Sequence, residues 1–258
     1  MPLEYVDDLR PARWIAERLH PFAQDVGAIV PPGFVAYARI FHPAMRRGAG
    51  QVERPVTWKE IAEANGRVHH PAMQFGALVG APALRRGSQP GLWDGLPRTG
   101  TLPLDLARIL VRMLRGHTRS PDLCWFAAWE GWGDPVFAML VGSSDPSVPP
   151  PEIVVIEKPE RRPTFKLPGR GYYIARGPLS AALDPVYGVV SHYQSASIWW
   201  PDDRAWCVAT EVDFDWTYVG GSTACIAAVL GNPQLEALPA RLSDGVDWAS
   251  DPINPAPR

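Results

Sequence analysis

The chain has 258 residues, 46% apolar and 20% charged, with 25 Lys and Arg against 27 Asp and Glu for a net charge of −2. This is an ordinary globular composition, long enough to bury a real core, and its near-neutral balance argues against a general nucleic-acid binder. No apolar run approaches the ~20 residues that span a bilayer, and the acidic start MPLEYVDDLR lacks the apolar region of a secretory signal. A cytoplasmic protein without membrane contact is expected.

Residues 8–20 predict a short helix, with Trp14, Ile15 and Leu19 at helical spacing and Pro21 as its stop. Pro31-Pro32-Gly33 marks a turn, after which Phe34 to Phe41 alternates as a strand apolar on much of both faces. Thr57-Trp58-Lys59-Glu60 is a capping box, opening a helix through Ile61 and Ala64 that stops at Asn65-Gly66. His69-His70 invites a metal reading, but adjacent residues face different ways and no third ligand stands at zinc-like spacing, so a turn or surface pair is expected. His20, His42, His117 and His192 occur singly. Residues 80–100 read as a long Gly-, Pro- and Arg-rich loop. The strongest helix is 102–115: Leu102, Leu106, Ile109, Leu110, Met113 and Leu114 form one stripe, with Asp105 near its start and Arg112 and Arg115 near its end.

The second half reads as strand-rich. Cys124–Gly131 and Pro135–Val141 resemble consecutive strands, Pro149-Pro150-Pro151 a connector, and Glu152–Lys158 another strand. A polar, proline-broken stretch over 159–170 predicts an exposed hairpin or flap, followed by a strand over 171–177 and a short helix from Pro178 to Leu183. Cys124, Cys207 and Cys225 show no C-x-x-C spacing, which predicts buried thiols in a reducing compartment and neither a disulfide framework nor a zinc site.

The most distinctive stretch is IWWPDDRAWCVATEVDFDWTYVGGST, residues 198–223. Pro201-Asp202-Asp203-Arg204 predicts a tight turn. From Trp206 the alternation places Trp206, Val208, Thr210, Val212, Phe214, Trp216 and Tyr218 on one face of a single strand. Glu211, Asp213 and Asp215 then fall together on the other face. Asp is depleted in strands, so two of them here need a reason. Three readings compete: a solvated face, a hard-cation site, or a patch for a basic protein partner. No EF-hand spacing or phosphate-loop motif is present, so no metal is assigned and no cofactor is expected. Gly220-Gly221-Ser222-Thr223 then opens a capped helix over 223–230, a short amphipathic piece spans 233–238, and the proline-rich tail over 250–258 is expected to fray.

Runs of strands with segregated helices predict an α+β fold: a mixed, largely antiparallel sheet with helices packed around it. The chain is read as one globular unit. Its first 120 residues are basic and helix-rich (16 Lys and Arg against 10 Asp and Glu), and the remainder is acidic and strand-rich (9 against 17), so two domains are the alternative.

The stretches PPGFVAYARIFHPA, TWKEIAEANGR, CWFAAWEGWG and WWPDDRAWCVATEVDFDWTYVGGS resemble a group of actinobacterial proteins of unassigned activity. More loosely, the mixed chain with its strand-GGS-helix finish is similar to bacterial immunity proteins of the broad SMI1/KNR4-like class. Without a recognisable nucleophile–base set, the first expectation is a non-catalytic binding or immunity-like protein. Its candidate binding residues are Glu211, Asp213 and Asp215, for a basic partner, with Trp199, Trp200 and Trp216 as anchors. The alternative is a small-molecule or carbohydrate-active enzyme, metal-assisted in one variant, using the same carboxylates.

Overall fold

The computed structural model describes residues 3–21, 24–48, 53–80, 87–132, 155–189 and 193–256. In chain order the strands are β1 (Glu4–Val6), β2 (Ala36–Phe41), β3 (Ala44–Arg47), β4 (Glu53–Val56), β5 (Cys124–Trp129), β6 (Val155–Ile156) and β7 (Phe165–Leu167). They continue as β8 (Arg170–Gly177), β9 (Gly188–Val189), β10 (Ile198–Pro201), β11 (Trp206–Ala209), β12 (Trp216–Gly221) and β13 (Ala237–Pro239). The α-helices are α1 (Arg13–Arg18), α2 (Trp58–Ala64), α3 (Phe75–Val79), α4 (Leu104–Leu114) and α5 (Thr223–Leu230).

One large sheet runs β1-β8-β5-β10-β11-β12-β2-β13, with every described pairing antiparallel. β7 lies on the same edge of β8 as β1, pairing Arg170 to Tyr172 while β1 pairs Ile174 to Arg176. The fold is therefore α+β, as the sequence predicts. β2 comes from the basic stretch of the chain and inserts between β12 and β13 of the acidic stretch, so the two stretches share one sheet.

Alternation along the strands splits the core into two layers. One face carries Phe41, Ile174, Trp200, Trp216 and Tyr218 and packs against α1, α2, α3 and Trp93. The other carries Ile40, Phe126, Trp199, Trp206 and Val219 and packs against α4, α5 and a short 3-10 turn at Leu179–Leu183. A central sheet covered on both faces accounts for the doubly apolar β2, in which five of six residues are buried. The stripe predicted for α4 is real: Leu106, Ile109, Leu110 and Leu114 are buried, each stabilising the fold by about 1.5–3 kcal/mol. The capping box of α2 is complete, with Thr57 Oγ1 accepting from Glu60 N and Glu60 Oε2 accepting from Thr57 N. A second carboxylate, Glu236, accepts from the amides of Trp58 and Lys59 at 2.7 Å each, satisfying two further donors of that helix start.

Three expectations change. The strand predicted from Trp206 to Tyr218 is a hairpin: β11 ends at Ala209, the chain reverses over 210–215, and Ala209 pairs with Tyr218. Reversal shifts the phase, so Trp206 and Val208 share a face with Val219, while Cys207 and Ala209 share one with Trp216 and Tyr218. The tail does not fray over 250–256: Asn254 is buried and its side chain bonds both the N–H and C=O of Val68 at 2.8 and 2.9 Å. His69 and His70 are no surface pair; they contact Glu236 at 3.0 Å and Asp251 at 2.8 Å. The piece over 233–238 ends in β13. The predicted strand 135–141, the connector 149–151, residues 152–154 and His192 lie outside the described residues.

Candidate functional site

The hairpin loop 210–215 decides where the predicted site residues fall. A turn closes it, with Phe214 N donating to Glu211 O at 3.0 Å. At its base Thr210 Oγ1 meets Thr217 Oγ1 at 2.7 Å, and Thr217 meets His42 Nε2 at 2.9 Å. His42 N donates to the Asp215 carbonyl, and Gly100 N donates to the Phe214 carbonyl at 2.8 Å. Gly100 holds φ at +73°, and a Cβ there would come within 2.3 Å of the Val212 carbonyl oxygen. Only glycine lets the 100–102 segment lie this close under the loop.

The three carboxylates do not line one face. Glu211 and Asp213 converge on Arg170, the first residue of β8: its Nη2 lies 2.5 Å from Glu211 Oε1 and 2.6 Å from Asp213 Oδ2. Both oxygens contact one nitrogen, so they are no more than about 5 Å apart. Glu211 is mostly buried whereas Asp213 is 73% exposed. Asp215 is buried apart from these two, and its charge acts on the Arg39 guanidinium. Among the described residues no group of three His, Cys, Asp or Glu side chains is placed to hold a metal ion.

The tryptophan anchors are core residues. Trp199, Trp200 and Trp216 are 2%, 1% and 4% exposed. Trp216 stacks on Phe214 at 4.4 Å and under the Arg39 guanidinium at 3.9 Å, Trp200 meets Trp14 edge-on, and Trp199 meets Trp206. An interface anchor must be reachable before the partner arrives, so this assignment is corrected.

In their place the structure shows a small half-open pocket, with an enclosed volume of about 30 Å³, beside the Arg170–Glu211 pair. Leu19, Ile29, Leu167, Pro168, Ile198 and Ala209 supply an apolar wall, and His20, Arg170, Tyr172 and Glu211 a polar end. Its rim includes the two-residue β7–β8 turn, where Gly169 follows Pro168 and takes φ +75°. Arg170 is held by stacking against Trp129, its guanidinium carbon 5.3 Å from the ring centroid, and its Nε–H has no hydrogen-bond partner among the described residues.

Electrostatics sharpen this end. Burial raises the Glu211 carboxyl above the usual carboxylate range and outweighs the pull of Arg170. Burial works to lower Arg170, but Glu211 and Asp213 together leave it raised. Burial and the Glu211 charge push the Tyr172 hydroxyl up. Asp25 lies 3.0 Å from His20 Nδ1 and its carboxylate also caps a 3-10 turn by accepting from Ala28 N. Of these residues only Glu211 is visible from sequence. Arg170 sits in a stretch that reads as a flap, His20 looks isolated, and Tyr172 is an ordinary strand aromatic.

No family model, curated protein or solved structure matches this chain. Among the described residues no helix is long and apolar enough to cross a membrane.

Proposed function

We propose that the chain is a non-catalytic binding protein whose recognition site is the pocket beside Arg170 and Glu211. The observation that supports this most directly is the pocket itself: an apolar wall closed at one end by a few convergent polar groups is the usual make-up of a small-molecule site. A surface acidic patch for a basic protein has less support, because Arg170 engages two of the three carboxylates and the third is buried. Three free, buried cysteines favour a reducing compartment, the cytoplasm. In the immunity-type or regulatory role that the sequence resemblance implies, the protein would act by occupancy and not by turnover.

The test is a thermal-shift screen of small molecules on the natural protein and on Ala28→Trp, which fills the pocket from its wall. Compounds that raise the melting temperature of the natural protein are expected to lose that effect in the variant. Equal shifts in both proteins would refute the site.

A second reading rests on one observation, the proximity of a buried carboxyl, Glu211, to an exposed carboxylate, Asp213. Two acids in unlike environments can divide acid and base roles. This enzyme reading requires turnover that Glu211→Gln and Asp213→Asn each abolish while folding is retained.

A further inference from the structure

We propose that the ligand of this pocket is a small primary amine, an ammonium group on a short apolar body; this rests on the pocket being the recognition site. Charge comes first. The polar end holds one fixed cation, Arg170, in contact with two carboxylates: Glu211, which lines the pocket, and the exposed Asp213 beside it. Arg170 is shared between them, so this trio keeps one net negative charge at a partly desolvated place. An anion would add to that excess and a neutral molecule would leave it standing.

Hydrogen-bonding capacity points the same way. Glu211 Oε1 already accepts from Val212 N at 2.9 Å and contacts Arg170, which leaves Oε2 without a described partner. Tyr172 is 4% exposed and lines the pocket, yet its hydroxyl makes no hydrogen bond among the described residues. These two acceptors, Glu211 Oε2 and the Tyr172 hydroxyl, suit the N–H donors of an ammonium. The wall of Leu19, Ile29, Leu167 and Ile198 suits the methylenes that follow. Burial of the Glu211 carboxyl is under-compensated by Arg170, and a bound ammonium would supply the missing counter-charge.

The probes are n-hexylamine, n-hexanol and n-hexanoate, matched in chain length and differing in head group, titrated calorimetrically. Hexylamine is expected to bind at least tenfold more tightly than hexanol, with hexanoate weakest. Glu211→Gln should erase the preference for the amine over the alcohol. Asp213→Asn, at an exposed position that folding tolerates, should weaken hexylamine about threefold and leave hexanol unchanged. Ala28→Trp should abolish all binding. Hexanol or hexanoate binding as tightly as hexylamine would overturn the amine assignment and leave the pocket standing. Failure of all three probes on the natural protein would overturn both. An amine preference that survives Glu211→Gln and Asp213→Asn unchanged would overturn the assignment to these carboxylates.

Discussion

Thr217 Oγ1 lies 2.9 Å from His42 Nε2, and the opposite ring nitrogen lies 2.6 Å from the Arg98 carbonyl. A carbonyl only accepts, so Nδ1 carries the proton, Nε2 accepts from Thr217, and Thr217 in turn accepts from Thr210. The base of the hairpin is tied by a hydrogen-bond chain that has one direction, and it requires His42 to be neutral.

That requirement makes stability depend on pH. Burial pushes His42 down to about 4, while an unfolded imidazole titrates near 6.5. Between these values the unfolded chain binds the extra proton. The contribution is therefore complete above about pH 6.5 and is lost as pH falls, reaching about 3 kcal/mol below pH 4. Urea denaturation at pH 7.5 and 4.5 should show the natural protein losing about 2 kcal/mol more than His42→Gln, which keeps a donor and an acceptor but does not titrate. Equal losses would refute the assignment.

Arg170 and Asp213 should differ sharply in cost. Replacing Arg170 by Met strands the buried Glu211 carboxylate and is expected to cost about 3 kcal/mol. Replacing the exposed Asp213 by Asn should cost under about 1 kcal/mol. Denaturant midpoints of the two variants check the ranking. A Glu211→Gln/Arg170→Met pair should recover part of the loss, since it removes the uncompensated charge.

Gly100→Ala tests the floor of the hairpin. Positive φ and the approach to Val212 leave no room for a methyl group, so a loss of about 2–3 kcal/mol is expected. The loop carrying Glu211 should shift with it, weakening ligand binding. Gly116→Ala, where a Cβ meets nothing within 4 Å, is the control and should be near neutral.

Asn254 secures the C-terminal segment. Its amide satisfies both backbone groups of Val68, and Asp251 accepts from Gln74 N and His70. Asn254→Ala should cost about 2 kcal/mol by leaving those groups unpaired. Proteolysis near residues 67–73 should become faster. A variant as stable as the natural protein would refute this role.

Local chemistry made much of the fold legible. The capping box at Thr57, the α4 stripe and the doubly apolar β2 all rest on interactions within a few residues or on a simple period. The hairpin at 210–215 is hidden in the sequence because its apolar alternation continues through the turn, although Asp213 and Asp215 carry the chemistry of a reversal. The site was less legible for a different reason. His20, the β8 residues Arg170 and Tyr172, and Glu211 come from three distant parts of the chain and meet only in the folded structure. Nothing local marks Trp199, Trp200 and Trp216 as core instead of surface, because tryptophan serves both. The prolines of the tail suggest fraying, whereas its order comes from one asparagine meeting a loop 186 positions away.

The place of β2 in the sheet bears on how the protein is made. Its two neighbours, β12 and β13, lie at the far end of the chain. During synthesis at roughly 5–20 residues per second, Ala36–Phe41 leaves the ribosome on the order of ten seconds or more before a partner strand exists. Through that interval a segment apolar on both sides has no edge to join. Such distant pairing makes folding slow, and the nascent chain is a natural client for chaperones that shield extended apolar segments.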